Sequence, residues 1–149
     1  MSEPGFIVKF YDKAFEDKKI EEMVCAPVEA ISGVSESDAE DLKSLGIETV
    51  EDLALNKYVI FAQGINCLSD CASDMEDADV DFDFEEIEEL AEQSVSSIEG
   101  ISEGDAALLK KAFGIDNIKE LAENKYVAIA QATVNLANLV QYLKETGVI

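Results

Sequence analysis

Three patterns in this sequence have the residue types and spacing for chemistry. In "DADVDFDFEEIE" the carboxylates Asp77, Asp79, Asp81, Asp83, Glu85 and Glu88 fall at positions 1, 3, 5, 7, 9 and 12, the spacing with which a calcium loop presents its oxygens. The sixth position of such a loop turns on glycine; here it is Phe82, so the run reads instead as a solvated acidic lead-in to a helix. Cys67 and Cys71 stand one helical turn apart, where two thiols could hold a soft metal or act as a redox pair. Cys25 is the only other thiol and the chain has no histidine, so all three cysteines read as buried small apolar residues. The third pattern is Ser-x-x-Asp, found as Ser35 with Asp38 and again as Ser102 with Asp105, each just after a glycine, Gly33 or Gly100. A helix starting there could offer backbone N–H groups to a phosphate. No metal, cofactor or catalytic residue is expected from the first two patterns, and the third depends on how its donors are used.

Charge narrows the field further. The net charge is −22 and all eleven bases are lysine. Nucleic acid is bound by basic surfaces, usually with arginine forks on phosphates and base edges, and this surface repels it. Lacking histidine, the chain also lacks the commonest general base and nitrogen ligand for metals. An enzyme is therefore not expected, although carboxylate chemistry survives. Lys9 and Asp12 interrupt the N-terminal stretch too early for an apolar leader, so a soluble cytoplasmic protein is the expectation. With 149 residues and 48% hydrophobic content, the chain can bury a core as one domain or two small ones.

The elements that must position these residues occur twice. "ISGVSESDAEDLKSLGI" returns as "IEGISEGDAALLKKAFGI", and "LALNKYVIFAQ" returns as "LAENKYVAIAQ". Residues 1–72 and 73–149 are thus two copies of one unit, the second opened by the acidic lead-in. Apolar spacing predicts an amphipathic helix from about Phe10 to Val24. Pro27 suits the first turn of a short helix. Ser35 and Ser102 are expected as N-caps of helices running to Gly46 and Gly114, Thr49 and Asn117 as caps of short helices, and Asn56 and Asn124 as starts of the "NKYV" helices. No segment alternates with period two, so the fold is expected to be all-α: two tandem, pseudo-symmetric repeats.

The order apolar-x-Gly-apolar, Ala-x-x-Leu, Gly-Ile and "TVEDLA", over Ile31 to Ala54 and Ile98 to Ala122, resembles the helix-hairpin-helix superfamily. In its acidity and tandem arrangement it is similar to the acidic repeats of the elongation factor NusA. The resemblance implies helical hairpins, used in that superfamily on either nucleic acid or protein. A DNA-binding hairpin usually reads Gly-apolar-Gly; here Ser35 and Ser102 replace the second glycine, followed by Glu36 and Glu103. If those serines cap their helices, their side chains take the donors a phosphate needs. The hairpins are therefore expected to serve packing.

The "NKYV" helices supply the remaining signal. In a chain that is 30% charged, Tyr126 to Leu143 carries no charge, and neither does Tyr58 to Ser69. Gln131, Asn135 and Asn138 fall at i, i+4 and i+7 as a stripe of amides, costly in lipid but suited to a semi-buried protein contact. Tyr126, Ile129, Leu136, Leu139, Tyr142 and Leu143 are the apolar positions expected to meet the sister repeat, a second copy or another protein. The function expected is a non-catalytic protein-interaction or assembly module. The alternatives are nucleic-acid binding through the hairpins and, behind it, a metal-binding or enzymatic role.

Overall fold

The computed structural model describes residues 9–15, 18–71 and 84–149. Its α-helices are α1 (Ile20–Val24), α2 (Glu36–Leu42), α3 (Val50–Leu55), α4 (Lys57–Asp70), α5 (Phe84–Glu92), α6 (Glu103–Phe113), α7 (Ile118–Ala122) and α8 (Lys125–Glu145). Short 3-10 turns at Lys13–Phe15, Val28–Ala30, Lys43–Leu45 and Val95–Ser97 link them. Among the described residues there is no β-strand; isolated antiparallel bridges pair Tyr11 with Ile31, Pro27 with Thr49 and Ser94 with Asn117. The acidic stretch from Asp74 to Asp83, including the carboxylates at 77, 79, 81 and 83, lies outside the described residues.

Side chains fix the helix starts. Ser35 and Ser102 each form a capping box with the aspartate three residues on, and Thr49 forms one with Asp52. Asn56 and Asn124 each accept two backbone N–H bonds at the starts of α4 and α8. Such caps satisfy donors that the first helical turn leaves without partners, each contributing about 1 kcal/mol. Asn117 caps α7 through the N–H of Glu120, while the Glu120 carboxylate accepts from the N–H of Asp116. Gly46 (φ 80°) ends the 3-10 turn Lys43–Leu45 that continues α2, and Gly114 (φ 71°) ends α6, both in the left-handed conformation.

The N-terminal region departs from the expected single helix. Phe10 and Asp12 bond instead to the chain around residue 31: Ser32 N–H donates to Phe10 O at 2.7 Å and Asp12 N–H to Ala30 O at 2.9 Å. A helix through Phe10 to Val24 would forfeit that bridge, and regular helix begins only at Ile20, after an extended Lys19. Pro27 likewise precedes its 3-10 turn instead of lying inside it.

Packing crosses the chain midpoint. α4 lies against α5 and α7, whereas α8 lies against α3 and α1; α2 and α6 face one another. Each long helix thus completes a core begun by elements from the other end of the chain. Met23, Leu42, Val50, Ile118, Val127 and Ala130 all belong to one continuous hydrophobic cluster. Val59 of α4 and Val127 of α8 are fully buried, each worth on the order of 1.5–3 kcal/mol by removal from water. Lys144 Nζ, near the end of α8, reaches Glu21 of α1 at 2.9 Å.

Candidate functional site

The turns leading into α2 and α6 hold the candidates Gly33, Ser35, Asp38 and Gly100, Ser102, Asp105. Ser35 Oγ accepts from Asp38 N–H at 3.0 Å, and Asp38 Oδ2 accepts from Ser35 N–H at 3.1 Å. Ser102 and Asp105 repeat this at 3.0 and 3.3 Å. Each cap therefore engages two backbone donors at the point where a phosphate would approach, and a carboxylate faces that approach.

Gly33 and Gly100 are covered from across the molecule. Gly33 has φ +98° and Gly100 φ +100°, conformations that L side chains rarely adopt. A Cβ on Gly33 would lie 2.8 Å from the Tyr126 hydroxyl, and one on Gly100 would lie 2.7 Å from the Tyr58 hydroxyl. Tyr126 O–H donates to Gly33 O at 3.4 Å, and Tyr58 O–H donates to Gly100 O at 3.2 Å. The Tyr126 ring also rests on Phe113, with centroids 4.8 Å apart. Each tyrosine is the third residue of an "NKY" helix start, so one sequence feature places both.

On α8 the other interface candidates divide by depth. Ile129 and Gln131 are half-buried, whereas Asn135, Leu136, Asn138, Leu139 and Tyr142 are exposed and Leu143 is half-buried. Gln131 and Gln63 of α4 exchange two amide hydrogen bonds at 2.8 Å, and Gln131 also donates to Ala54 O at 3.2 Å. Gln131 is thus held inside the chain, while Asn135 and Asn138 face solvent. Large apolar side chains remain uncovered on the later turns: Leu139 is 51% and Tyr142 61% exposed. Alongside the earlier turns runs an open groove of about 630 Å³, whose walls include Lys9, Phe10, Lys125, Ala128, Ile129 and Ala132.

Two polar features were not singled out by sequence reasoning. Tyr11 O–H and Thr133 Oγ1 meet at 2.6 Å in the core, and Thr133 donates to Ile129 O at 2.8 Å. The threonine proton is thereby committed, so the tyrosine is the donor between them. Burial pushes the Tyr11 phenol above its usual value, partly offset by that hydrogen bond. Only the burial of Tyr11 could have signalled the pair, and an aromatic flanked by Phe10 and Asp12 does not reveal it. The second feature, Gln63, was legible as the counterpart of Gln131 in the repeated "NKYV…AQ" segment.

The remaining chemistry is sparse. Cys25 and Cys67 are exposed and Cys71 is half-buried, so none of the three is the buried apolar residue expected from the sequence. Among the described residues no group of three His, Cys, Asp or Glu side chains stands ready for a metal. Lys144 holds the Glu21 carboxyl below the usual carboxylate range, while Glu40 and Asp116 hold the Lys43 and Lys110 ammonium groups above theirs; these are surface pairs of small energetic weight. Among the described residues no helix is long and apolar enough to cross a membrane. Comparison with known proteins finds no family model, no curated protein and no solved structure that matches the chain.

Proposed function

We propose that this protein is a non-catalytic protein-interaction or assembly module of the cytoplasm, built from two pseudo-symmetric helix-hairpin-helix-like repeats, residues 1–72 and 73–149. The observation that carries this reading is the exposed face of α8: Leu139 and Tyr142 stand more than half uncovered on a helix with no charge between Lys125 and Lys144, in a chain of net charge −22. Leu55 and Ile60, also more than half exposed, border α8 beside Asn135, and uncovered apolar side chains grouped in this way mark a contact site. The repeat reading is supported by matched contacts: Tyr58 on Gly100 with Tyr126 on Gly33, Gln63 with Gln131, and a capping box in each hairpin. Against a nucleic-acid role stand the donors occupied by Ser35, Asp38, Ser102 and Asp105, and the overall charge.

Two measurements test the role. A gel-shift titration with a short DNA duplex at low salt is expected to show no complex; a salt-sensitive shift would replace this reading with phosphate binding. Immobilised wild-type protein and the variant Leu139→Glu/Tyr142→Glu, each shown to be folded by circular dichroism, are compared as baits. Proteins retained by the wild type are expected to be lost from the variant, and identical retention overturns the role assigned to α8.

A further inference from the structure

We propose that the occupant of the exposed α8 face is the same face of a second copy, the two helices running antiparallel about a two-fold axis near Asn135 and Leu136. This deepens the interaction role above and rests on it. Lys125, Ala128, Ala132, Asn135, Leu139 and Tyr142 are spaced by alternating steps of three and four residues, the heptad spacing of helices that pair along a seam. Tyr142 and Leu139 are exposed, as are Ala128, Ala132, Asn135 and Lys125. Val127, Ala130, Thr133, Val134 and Ala137 occupy the opposite, buried side. α8 therefore has one face spent on its own core and a second, regularly spaced face left over.

Charge selects the partner. A basic partner would look for carboxylates around the apolar face, but α8 carries none between Lys125 and Lys144, Glu21 of the adjacent α1 is already paired with Lys144, and the charged residues bordering the adjacent groove are Lys9 and Lys125. Those charges suit an acidic partner. Two chains of net charge −22 repel one another over most of their surfaces, so an uncharged face is where they can meet without opposing carboxylates.

Size selects the orientation. The seam is small in its first half, at Ala128 and Ala132, beside the groove of about 630 Å³; it is large in its second half, at Leu139 and Tyr142. Antiparallel pairing lays Leu139 and Tyr142 of each copy over Ala132 and Ala128 of the other, filling that groove. In this register Lys125 of one copy comes opposite Glu145 of the other, an exposed pair of opposite charge at each end of the contact. Parallel pairing would instead set large against large and lysine against lysine. A two-fold contact of this kind closes on itself, giving a dimer and not a filament.

Sedimentation of the full chain over a range of concentrations tests the proposal. A monomer–dimer equilibrium is expected, tightening as salt rises because screening removes the net repulsion. Leu139→Glu, at an exposed position, is expected to weaken dimerisation by at least about tenfold, because it buries an unpaired carboxylate against Ala132 of the other copy. Phe61→Glu, also exposed but on the side of α4 turned away from Gln63 and α8, should leave it unchanged. Lys125→Glu should weaken the dimer, and adding Glu145→Lys in the same chain should restore it. A monomer at every concentration and salt overturns the pairing, as does equal sensitivity to Phe61→Glu and Leu139→Glu; failure of the charge exchange to restore the dimer overturns the antiparallel register. Monomeric protein whose bait comparison still distinguishes the α8 variant sinks self-pairing alone, whereas monomeric protein with identical bait retention sinks the interaction role as well.

Discussion

Replacing Gly33 by alanine probes the point where Tyr126 of α8 closes on the turn before α2. Two costs are written into the geometry. A φ of +98° places an alanine in a left-handed conformation, at about 1–2 kcal/mol. The new Cβ would lie 2.8 Å from the Tyr126 hydroxyl and 3.3 Å from its Cε1, so the ring must withdraw and its hydrogen bond to Gly33 O is lost, at about 1 kcal/mol more. The sum, about 2–3 kcal/mol, corresponds to roughly 4–12 °C in Tm for a chain of this size. Thermal melts of Gly33→Ala, Tyr126→Ala and the double variant separate the two costs. Without the tyrosine, only the backbone cost should remain, so the alanine should be about 1 kcal/mol less damaging in the Tyr126→Ala background. Additive effects in this cycle would refute the contact as a source of stability. The same cycle on Gly100 and Tyr58 should give a similar coupling, because the Cβ clearance there is 2.7 Å.

Three further outcomes are expected. Gln131→Leu should cost about 1–3 kcal/mol by leaving the half-buried Gln63 amide without its partner, and Gln63→Leu/Gln131→Leu should cost less than the two single changes together; chemical denaturation measures both, and strict additivity would contradict the amide pair. Thermal stability should rise with added salt as the Debye length falls from about 30 Å at 0.01 M to about 3 Å at 1 M, and measuring this on Leu139→Glu keeps self-association out of the result; a flat Tm would mean that the net charge of −22 does not strain the fold. Fragments 1–71 and 72–149 should each show little helix alone by circular dichroism and recover it on mixing, since α8 completes the core around α1 and α3; an independently folded fragment would contradict that interdependence.

Local features were legible in the sequence because local rules govern them. Ser35 and Ser102, followed three residues later by an aspartate, form the expected capping boxes, and Gly46 and Gly114 end their helices in the left-handed conformation. Helix partners were not legible. Apolar period reveals which face of α8 is buried, but no periodicity tells Val127 that it packs near α3 and not beside its neighbour in sequence. The stripe Gln131, Asn135 and Asn138 shows the same gap: their side chains are alike in polarity, yet Gln131 is satisfied internally by Gln63 while the two asparagines face water. The outward seam is shifted from that stripe and passes through Ala128, Ala132 and Leu139. Tyr11 failed to read as core because its burial depends on Thr133, a partner 122 positions away.

The crossing of α8 onto α1 and α3 also has a consequence during synthesis. A nascent chain that has emerged as far as Cys71 already carries Met23, Val28 and Val50, yet the helix that covers this region is still unmade. At about 5–20 residues per second, the 74 residues between 71 and 145 take roughly 4–15 s to follow. Closure then depends on the packing of α8 on α1 and α3, contacts of long sequence separation that order slowly because a long loop must be drawn in first. During that interval Met23 of α1 and Val50 of α3 lack the helix that covers them, so the early half is the part of the chain most exposed to premature association.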